Sequence, residues 1–285
     1  MDSAAPPPAP TSPEAALPDG AWDAHVHMLG GPDHPLSPAR AENPAPGVDF
    51  EGWLERYRAH LAALGCTRSL IVHSILYGTD NTVTLEAVRA MGPGFKGVGL
   101  LGDGATRQAI RHFADNDIVA VRLNYVHGGV LTWDGAKKMA PALADHGLHI
   151  QMLLHADMHI DELAADIRAL PVPLVIDHCG WPTQLIADAP AIDTLCALLD
   201  EGHIYVKLSA PYRLTNDITQ AHPLMRRLIN ANPDACLWGS DWPHIMLNGA
   251  QMPRAAALAD AVSGITTEDE RQKIFVDTPN RLFCP

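Results

Sequence analysis

Short apolar runs alternate with amphipathic segments along most of the chain. The segment from 49 to 65 shows the amphipathic kind clearly, because its large apolar side chains recur every three or four residues before a glycine: Phe50, Trp53, Leu54, Tyr57, Leu61, Leu64 and then Gly65. This spacing predicts a helix that has one buried face and ends at the glycine. The apolar runs between such segments are short and flanked by Gly or Pro, which favours strands.

The alternation of strands and helices continues to the end of the chain. Strands are predicted at 22–27, 69–73, 97–101, 118–125, 148–155, 173–178, 203–209 and 235–239. Helices are predicted at 49–65, 82–91, 106–116, 133–146, 160–170, 191–201, 221–231, 253–262 and 267–276. Parallel strands joined by helices bury both faces of their sheet, so eight such units predict an α/β protein with a single-domain (β/α)8 TIM barrel over residues 21–285. An open doubly wound sheet is the alternative, but it would want a Gly-x-Gly-x-x-Gly turn directly after its first strand, and that pattern does not appear there.

Two segments are predicted to lack regular structure. Residues 1–20 are rich in Pro and Ala with acidic charge, and we expect a disordered lead that ends where the first strand begins. Residues 29–48 are rich in Gly and Pro and follow the first strand directly. A loop of that length at a strand end is expected to cover a site.

Composition narrows the class of function. The chain has 285 residues and a formal net charge of −13, without a dense Lys/Arg block, which counts against nucleic acid and anionic membrane surfaces as partners. The sequence has no apolar run of the ~18 residues needed to span a bilayer. The five cysteines are widely spaced and odd in number, so reduced thiols and a cytoplasmic location are predicted. With nucleic acid and membrane surfaces disfavoured, a small molecule is the predicted substrate. The oligomeric state is left open.

The first strand carries the most informative pair of side chains. Side chains alternate across a strand, so we expect Asp23, His25 and His27 to share one face and Trp22, Ala24 and Val26 to share the other. Two imidazoles that point the same way suit metal binding or the polarisation of a carbonyl. Interior histidines satisfied by backbone carbonyls would give the same pattern, so this pair alone decides nothing.

Two later strands end in side chains that complete a catalytic constellation. His178 follows the sixth strand, and Asp241 follows the eighth, with His244 three residues on. Taken singly, His178 could be a hydrogen-bonded rim residue and Asp241 a helix N-cap. A barrel gathers the carboxyl ends of its strands at one mouth, where three histidines and a carboxylate are what water-activating hydrolysis requires.

With these motifs in place, the sequence resembles a known family. It is similar to the amidohydrolase superfamily, and within it to the amidohydrolase-2 branch that includes 2-pyrone-4,6-dicarboxylate lactonase and related sugar-acid lactonases. The resemblance rests on Ala24-His-Val-His27, Asp177-His-Cys-Gly-Trp-Pro182 and Gly239-Ser-Asp-Trp-Pro-His244. It extends over nearly the whole chain after Gly20 through Tyr77-Gly-Thr-Asp-Asn81, Val121-Arg-Leu-Asn124, Pro171-Val-Pro173 and Thr278-Pro-Asn-Arg-Leu282.

The resemblance implies a catalytic mechanism. Asp241 would deprotonate a water and return the proton to the departing ring oxygen, while His25, His27 and His178 would polarise the lactone carbonyl and stabilise the oxyanion.

The resemblance leaves open whether a metal takes part. Some relatives bind a divalent metal such as Zn²⁺, which here would fall on His25, His27 and Asp241. The fifth-strand position of a further metal ligand corresponds to Leu153, with His155 two residues beyond on the same face, so a site without metal is favoured.

The resemblance also implies substrate contacts. Cations there would bind a carboxylate on the substrate. The predicted substrate-binding residues are Arg122, Asn124, Arg213, Lys207, Ser209, His155 and Thr79. Three positions that contact pyrone dicarboxylate in the resembled lactonase carry Ile75, Gly128 and Leu153 here, in place of serine, arginine and tyrosine. A lactone with one carboxylate, or a sugar-acid lactone, therefore fits better than pyrone dicarboxylate.

The sequence thus predicts a lactone hydrolase, acting on a carboxylic ester bond by water attack on the ring carbonyl of a small carboxylated or polyhydroxylated lactone. A role in the catabolism of aromatic compounds or sugar acids would follow. Three alternatives stay open: a metal-dependent decarboxylase or hydratase of the same superfamily, a lactone isomerase, and a catalytically inactive barrel that only binds a ligand.

Overall fold

The architecture is a closed barrel of eight parallel strands. A computed structural model describes residues 3–247 and 252–284, and in it each strand pairs with the next one along the chain. The strands are β1 (Trp22–Val26), β2 (Arg68–Val72), β3 (Phe95–Gly99), β4 (Ile118–Asn124), β5 (His149–Leu153), β6 (Leu174–Ile176), β7 (Ile204–Ser209) and β8 (Cys236–Gly239). The amides of His27 and Asp241 donate to the carbonyls of Trp242 and His25, both at 2.8 Å, and join the last strand to the first. The predicted (β/α)8 barrel is confirmed.

Helices follow the strands along the chain. They are α1 (Phe50–Leu64), α2 (Thr82–Met91), α3 (Arg107–Ala114), α4 (Trp133–Ala144), α5 (Ala156–Arg168), α6 (Pro190–Asp200), α7 (His222–Ala231), α8 (Ala255–Ser263), α9 (Glu268–Gln272) and α10 (Thr278–Phe283). Each predicted helix overlaps an observed one, although α5 begins four residues earlier than the spacing predicts. A π-helical segment, Lys273–Asp277, joins α9 to α10, which the sequence did not predict.

The barrel interior is filled by side chains from most of the strands and from the last helix. Its apolar cluster comprises Trp22, Ala24, Leu70, Val72, Val98, Ala120, Val175, Leu237, Leu282 and Phe283. The rings of Trp22 and Phe283 meet edge to face at 5.2 Å between centroids. Because Trp22 begins β1, α10 closes the amino-terminal end of the barrel and leaves the carboxyl-terminal end for polar side chains.

The first strand does not follow the strict alternation that the sequence predicts. Ala24 packs inside the barrel, whereas the Asp23 carboxylate accepts a hydrogen bond from Ser240 Oγ at 2.6 Å and lies 3.4 Å from the hydroxyl of Tyr57 in α1. The pairing of β1 with β2 shifts register between Asp23 and Val26. This bulge lets His25 face the interior directly after Ala24, so the prediction that Asp23 shares the face of the histidines is wrong.

The amino-terminal lead and the long loop contain almost no regular structure among the described residues. Residues 3–20 nevertheless contact the barrel, since the Ala4 amide donates to the Asn43 carbonyl at 2.7 Å and Leu17 is buried in the outer core. Disorder of the lead stays a prediction. No helix within the described ranges is long and apolar enough to cross a bilayer.

Candidate active site

The carboxyl-terminal mouth of the barrel brings the four predicted catalytic side chains together. Nε2 of His25 lies 3.3 Å from Nε2 of His27. Oδ1 of Asp241 is 3.7 Å from the first nitrogen and 3.6 Å from the second. The ring centroid of His178 is 4.8 Å from that of His25. All four side chains are buried, so they form one compact cluster.

Backbone strain is concentrated at the same mouth. Of the eight non-glycine residues with positive φ among the described residues, seven follow β6, β7 or β8: His178, Cys179, Trp181, Ala210, Asp241, His244 and Met246. Each such residue costs on the order of 1–3 kcal/mol and persists where the surrounding structure over-determines it, as it often does at functional sites. The left-handed conformation is what aims His178 (φ 55°) and Asp241 (φ 60°).

The two oxygens of the Asp241 carboxylate have different environments. Oδ2 accepts hydrogen bonds from the Tyr212 hydroxyl at 2.6 Å and from Arg213 Nε at 2.9 Å. Oδ1 has no hydrogen-bond partner and faces the histidines. Burial alone would raise the pKa of Asp241, but attraction to the Arg213 guanidinium lowers it well below its usual value. The carboxylate is therefore ionised at neutral pH, with one oxygen held and the other available.

The three histidines are neutral at physiological pH. Burial is the largest influence on each ring, and it lowers the pKa of His25 and His27 and brings that of His178 to about 3. Nδ1 of His27 lies 2.9 Å from the carbonyl oxygen of Val72. Because a carbonyl only accepts, Nδ1 carries the proton of this neutral ring and Nε2 presents its lone pair to the site.

A cavity of about 290 Å³ opens beside this cluster. Its lining residues are His27, Ile75, Arg122, Asn124, His127, Leu153, His178, Trp181, Arg213, Asp241, Ile245 and Met246. Arg122 donates through Nη1 to the His73 carbonyl at 2.6 Å, whereas its buried Nε has no partner. Arg122 and Asn124 therefore lie where the sequence predicts substrate contacts, and Arg213 borders the cavity while it also holds Asp241.

A second cavity of about 400 Å³ adjoins the first and shares Ile75, Arg122, Asn124 and His127 with it. Thr79, another predicted substrate residue, lines this second cavity, as do Ser37 and Ala39 from the long loop after β1. Gly128 and Gly129 also border it, and a Cβ atom added at either position would meet no atom within 4 Å. The two cavities together form a mostly apolar groove with Arg122 at their junction.

The remaining predicted substrate residues lie away from the cavity lining. Ser209 Oγ lies 2.9 Å from His178 Nδ1 and so supports the ring. His155 stands at the start of α5 with Nδ1 2.7 Å from the Trp181 carbonyl. Neither is among the lining residues.

Lys207, predicted to bind a substrate carboxylate, is fully buried inside the barrel. It donates to Gln151 Oε1 at 2.6 Å, and burial lowers its pKa to about 8 despite attraction to Asp177. Its depth in the barrel places the ammonium among protein groups instead of in the cavity.

Three polar side chains of the site carried no predicted role. Tyr212 holds the Asp241 carboxylate, and Asp177 and Gln151 surround Lys207. Asp177 belongs to one of the quoted motifs and Tyr212 precedes a predicted substrate arginine, so position could have drawn attention to both. Gln151 has no comparable signal, because it is one polar residue in an apolar strand.

The donor atoms at the mouth fit a divalent metal by type and distance. His25, His178 and Asp241 offer ligand atoms that all lie within 4.8 Å of one another. Imidazole nitrogen and carboxylate oxygen are ligands that zinc prefers, and Asp241 Oδ1 has no other partner. The predicted set of His25, His27 and Asp241 shares two members with this group.

The protein-family model described as amidohydrolase matches residues 22–284. The chain belongs to the amidohydrolase family. Amidohydrolase relatives with assigned activities cover almost the whole chain. The 2-pyrone-4,6-dicarboxylate hydrolase of Comamonas testosteroni is 30% identical over 293 residues, covering 97% of this chain and 94% of the relative. The 4-sulfomuconolactone hydrolase of Hydrogenophaga intermedia is 30% identical over 287 residues, covering 94% of this chain and 89% of the relative. The D-galactarolactone isomerase of Agrobacterium fabrum is 26% identical over 282 residues, covering 96% of this chain and 94% of the relative.

Proposed function

We propose that this amidohydrolase hydrolyses a small carboxylated lactone, with Asp241 Oδ1 as the base that activates water. The observation that carries the proposal is the asymmetry of this carboxylate. Oδ2 is fixed by Tyr212 and Arg213, whereas the buried Oδ1 has no partner and lies 3.6 Å from His27 Nε2. A water beside Oδ1 would donate a hydrogen to this oxygen, which leaves the lone pair of the water free to attack.

The reaction then needs only groups already in place. The water oxygen bonds to the lactone carbonyl carbon while its proton passes to Asp241, and His25 and His178 stabilise the oxyanion. Collapse of the tetrahedral intermediate breaks the bond to the ring oxygen, which takes the proton back from Asp241. The product is an open-chain hydroxy acid, and the carboxylate is regenerated.

The environment of Arg122 is evidence that the substrate carries a carboxylate. Its guanidinium is buried at the junction of the two cavities, where Nε has no partner. A substrate carboxylate would supply the missing acceptor through a charge-assisted hydrogen bond.

Two apolar residues in the lining of the first cavity favour one carboxylate over two. They are Ile75 and Leu153, neither of which can pair with a second anion. The 400 Å³ second cavity, bordered by Gly128 and Gly129, would accommodate a substituent on the lactone ring.

We propose that the reaction runs without a metal. A divalent ion held by His25, His178 and Asp241 would supply Lewis-acid polarisation of the carbonyl. However, the carboxylates of Asp177 and Asp241 already contact two buried cations, at 3.6 Å from Lys207 and 2.9 Å from Arg213, with Arg122 close by. A further double charge would be repelled by these cations. Metal analysis of the purified protein, with rates measured before and after chelation, checks this proposal and would detect a metal-dependent decarboxylase or hydratase.

The function is tested by a screen of carboxylated aromatic-degradation lactones and sugar-acid lactones, followed by acid release. Asp241→Asn should lower turnover of any substrate found by at least about 100-fold, because the general base is lost. Ligand-induced thermal stabilisation should persist in this variant. The exposed Asp115→Asn serves as the control and should keep full activity. Unchanged turnover in Asp241→Asn would reject the assignment of the base, and a chain that binds lactones without turning any over would be a binding protein.

Lactone isomerisation is the second candidate function. A substrate hydroxyl could take the place of the water beside Asp241 Oδ1, and the relative from Agrobacterium fabrum is named as an isomerase. Reaction in ¹⁸O-labelled water separates the two, since hydrolysis incorporates solvent oxygen into the product and isomerisation does not. For either reaction we propose a cytoplasmic location, which agrees with the free state of all five cysteines.

A further inference from the structure

Lys207 lies inside the barrel beneath the first histidine of the site. Its ammonium has no exposed surface and approaches three acceptors: Gln151 Oε1 at 2.6 Å, His25 Nδ1 at 3.3 Å and Asp177 Oδ1 at 3.6 Å. Gln151 in turn donates through Nε2 to Asp177 Oδ2 at 3.1 Å, which fixes the orientation of its amide. The hydrolysis proposed above uses none of these contacts directly.

The contact between Lys207 and His25 determines which ring nitrogen carries the proton. An ammonium can only donate, so His25 Nδ1 must accept and the proton of the neutral ring sits on Nε2. That N–H faces His27 Nε2 at 3.3 Å, and His27 Nδ1–H faces the Val72 carbonyl at 2.9 Å. Donors and acceptors therefore alternate without conflict from Lys207 to Val72.

The opposite tautomer of His25 would have a different consequence. Asp177 Oδ1 lies 3.2 Å from His25 Nδ1 and would accept its proton if Lys207 did not occupy that nitrogen. Lone pairs on Nε2 of His25 and His27 would then face each other and Asp241 Oδ1, with no donor among them. Such a set of acceptors is what a metal cation requires. In the structure Asp177 Oδ1 has no hydrogen-bond partner, so it does not accept a proton from His25 Nδ1. This favours the tautomer of His25 that carries its proton on Nε2.

We propose that Lys207 is a positioning residue that holds His25 as the Nε2–H tautomer, so that the site presents a proton donor in place of a metal-ligating lone pair. In the ligand-free protein this donor faces His27 Nε2, and a lactone oxyanion bound beside it would accept the hydrogen bond instead. The tautomer itself does not depend on the proposed hydrolysis, since it is a property of the ligand-free protein.

The first test is ¹⁵N NMR of histidine side chains in the full-length protein, with the His25 and His27 signals assigned by their loss in His25→Gln and His27→Gln. Protonated and unprotonated ring nitrogens have distinct shifts, so the experiment reports the tautomer directly. We expect a proton on Nε2 of His25 and on Nδ1 of His27. A proton on Nδ1 of His25 in the unaltered chain would overturn the proposal without any variant.

The second test removes the ammonium. In Lys207→Met we expect the His25 proton to move to Nδ1, facing Asp177, and the affinity for Zn²⁺ measured by calorimetry to rise at least about tenfold. Asp177→Asn removes the competing acceptor, so it should keep the Nε2–H tautomer and gain no zinc affinity. Lys96→Met, at the surface, should match the parent in both measurements. An unchanged tautomer in folded Lys207→Met would refute the proposal, whereas absence of lactone turnover in every protein would concern only the proposed function.

Discussion

Burial of neutral histidines makes the stability of this barrel fall as the solution is acidified. His149 in β5 is the clearest case, because its Nε2 has no hydrogen-bond partner and its ring stacks on Phe283 at 5.9 Å. Burial, followed by repulsion from Lys207, lowers the pKa of His149 to about 3. In the unfolded chain the same ring has the ordinary pKa of about 6.5.

The sign and size of the effect follow from these two values. Between pH 6.5 and pH 3 the unfolded chain binds a proton at position 149 that the folded chain does not. The contribution of His149 to the free energy of unfolding is therefore complete above pH 6.5 and falls by about 1.4 kcal/mol for each pH unit below it. At pH 5 the loss is about 2 kcal/mol. Three further buried histidines have pKa values of about 3 or 4: His73, His178 and His244. With four such rings the loss at pH 5 approaches about 8 kcal/mol, comparable to the whole stability of a typical domain.

The assay is urea unfolding followed by tryptophan fluorescence at intervals from pH 7.5 to 4.5. His149→Phe keeps a ring against Phe283 but cannot titrate. Below pH 6 the free energy of unfolding of this variant should therefore fall less steeply than that of the parent, and the two slopes should differ by about 1.4 kcal/mol per pH unit. His112→Gln replaces an exposed histidine and should leave the slope unchanged. Parallel slopes for the parent and His149→Phe would refute the reasoning, because they would mean that His149 titrates alike in both states.

Two further variants test how neighbouring residues position Asp241 and His25. Tyr212→Phe removes the 2.6 Å hydrogen bond to Asp241 Oδ2; since that bond favours the ionised carboxylate, the acidic limb of the pH–rate profile should move to higher pH, and an unmoved limb would contradict this role. Gly239→Ala would place a methyl carbon 2.5 Å from His25 Cβ and 2.6 Å from its backbone nitrogen. We expect it to destabilise the fold by about 1–3 kcal/mol and to displace His25, measured by urea unfolding and turnover, whereas parent-like values in both would contradict the packing argument.

The sequence predicts the elements of this barrel well because the periodicity of apolar residues is a local property. The run from Gly97 to Leu101 is the weakest case, since its alternating glycines leave the register open and β3 begins two residues earlier. The sequence could predict that Asp241 and His178 lie at one mouth, because strand ends converge in any barrel of this kind.

The features of the site that the sequence could not predict depend on the pairing and packing of distant segments. The bulge that separates Asp23 from His25 arises from the register of β1 against β2, which no local pattern encodes. The depth of Lys207 depends on strand tilt and stagger, and so a cation that the sequence predicted to bind the substrate lies inside the barrel. Tyr212 reaches Asp241 only because a short turn after β7 folds over the mouth.

The seven left-handed residues after β6, β7 and β8 also bear on engineering. Replacing one of them by glycine would relieve strain and is an attractive route to a more thermostable protein. At His178 and Asp241 the same change would delete the groups proposed to take part in the reaction, and at Cys179, Ala210 or Met246 it would loosen the segments that position them. Heat resistance gained at these positions would therefore come at the expense of turnover, and thermostability is better sought on the helical exterior.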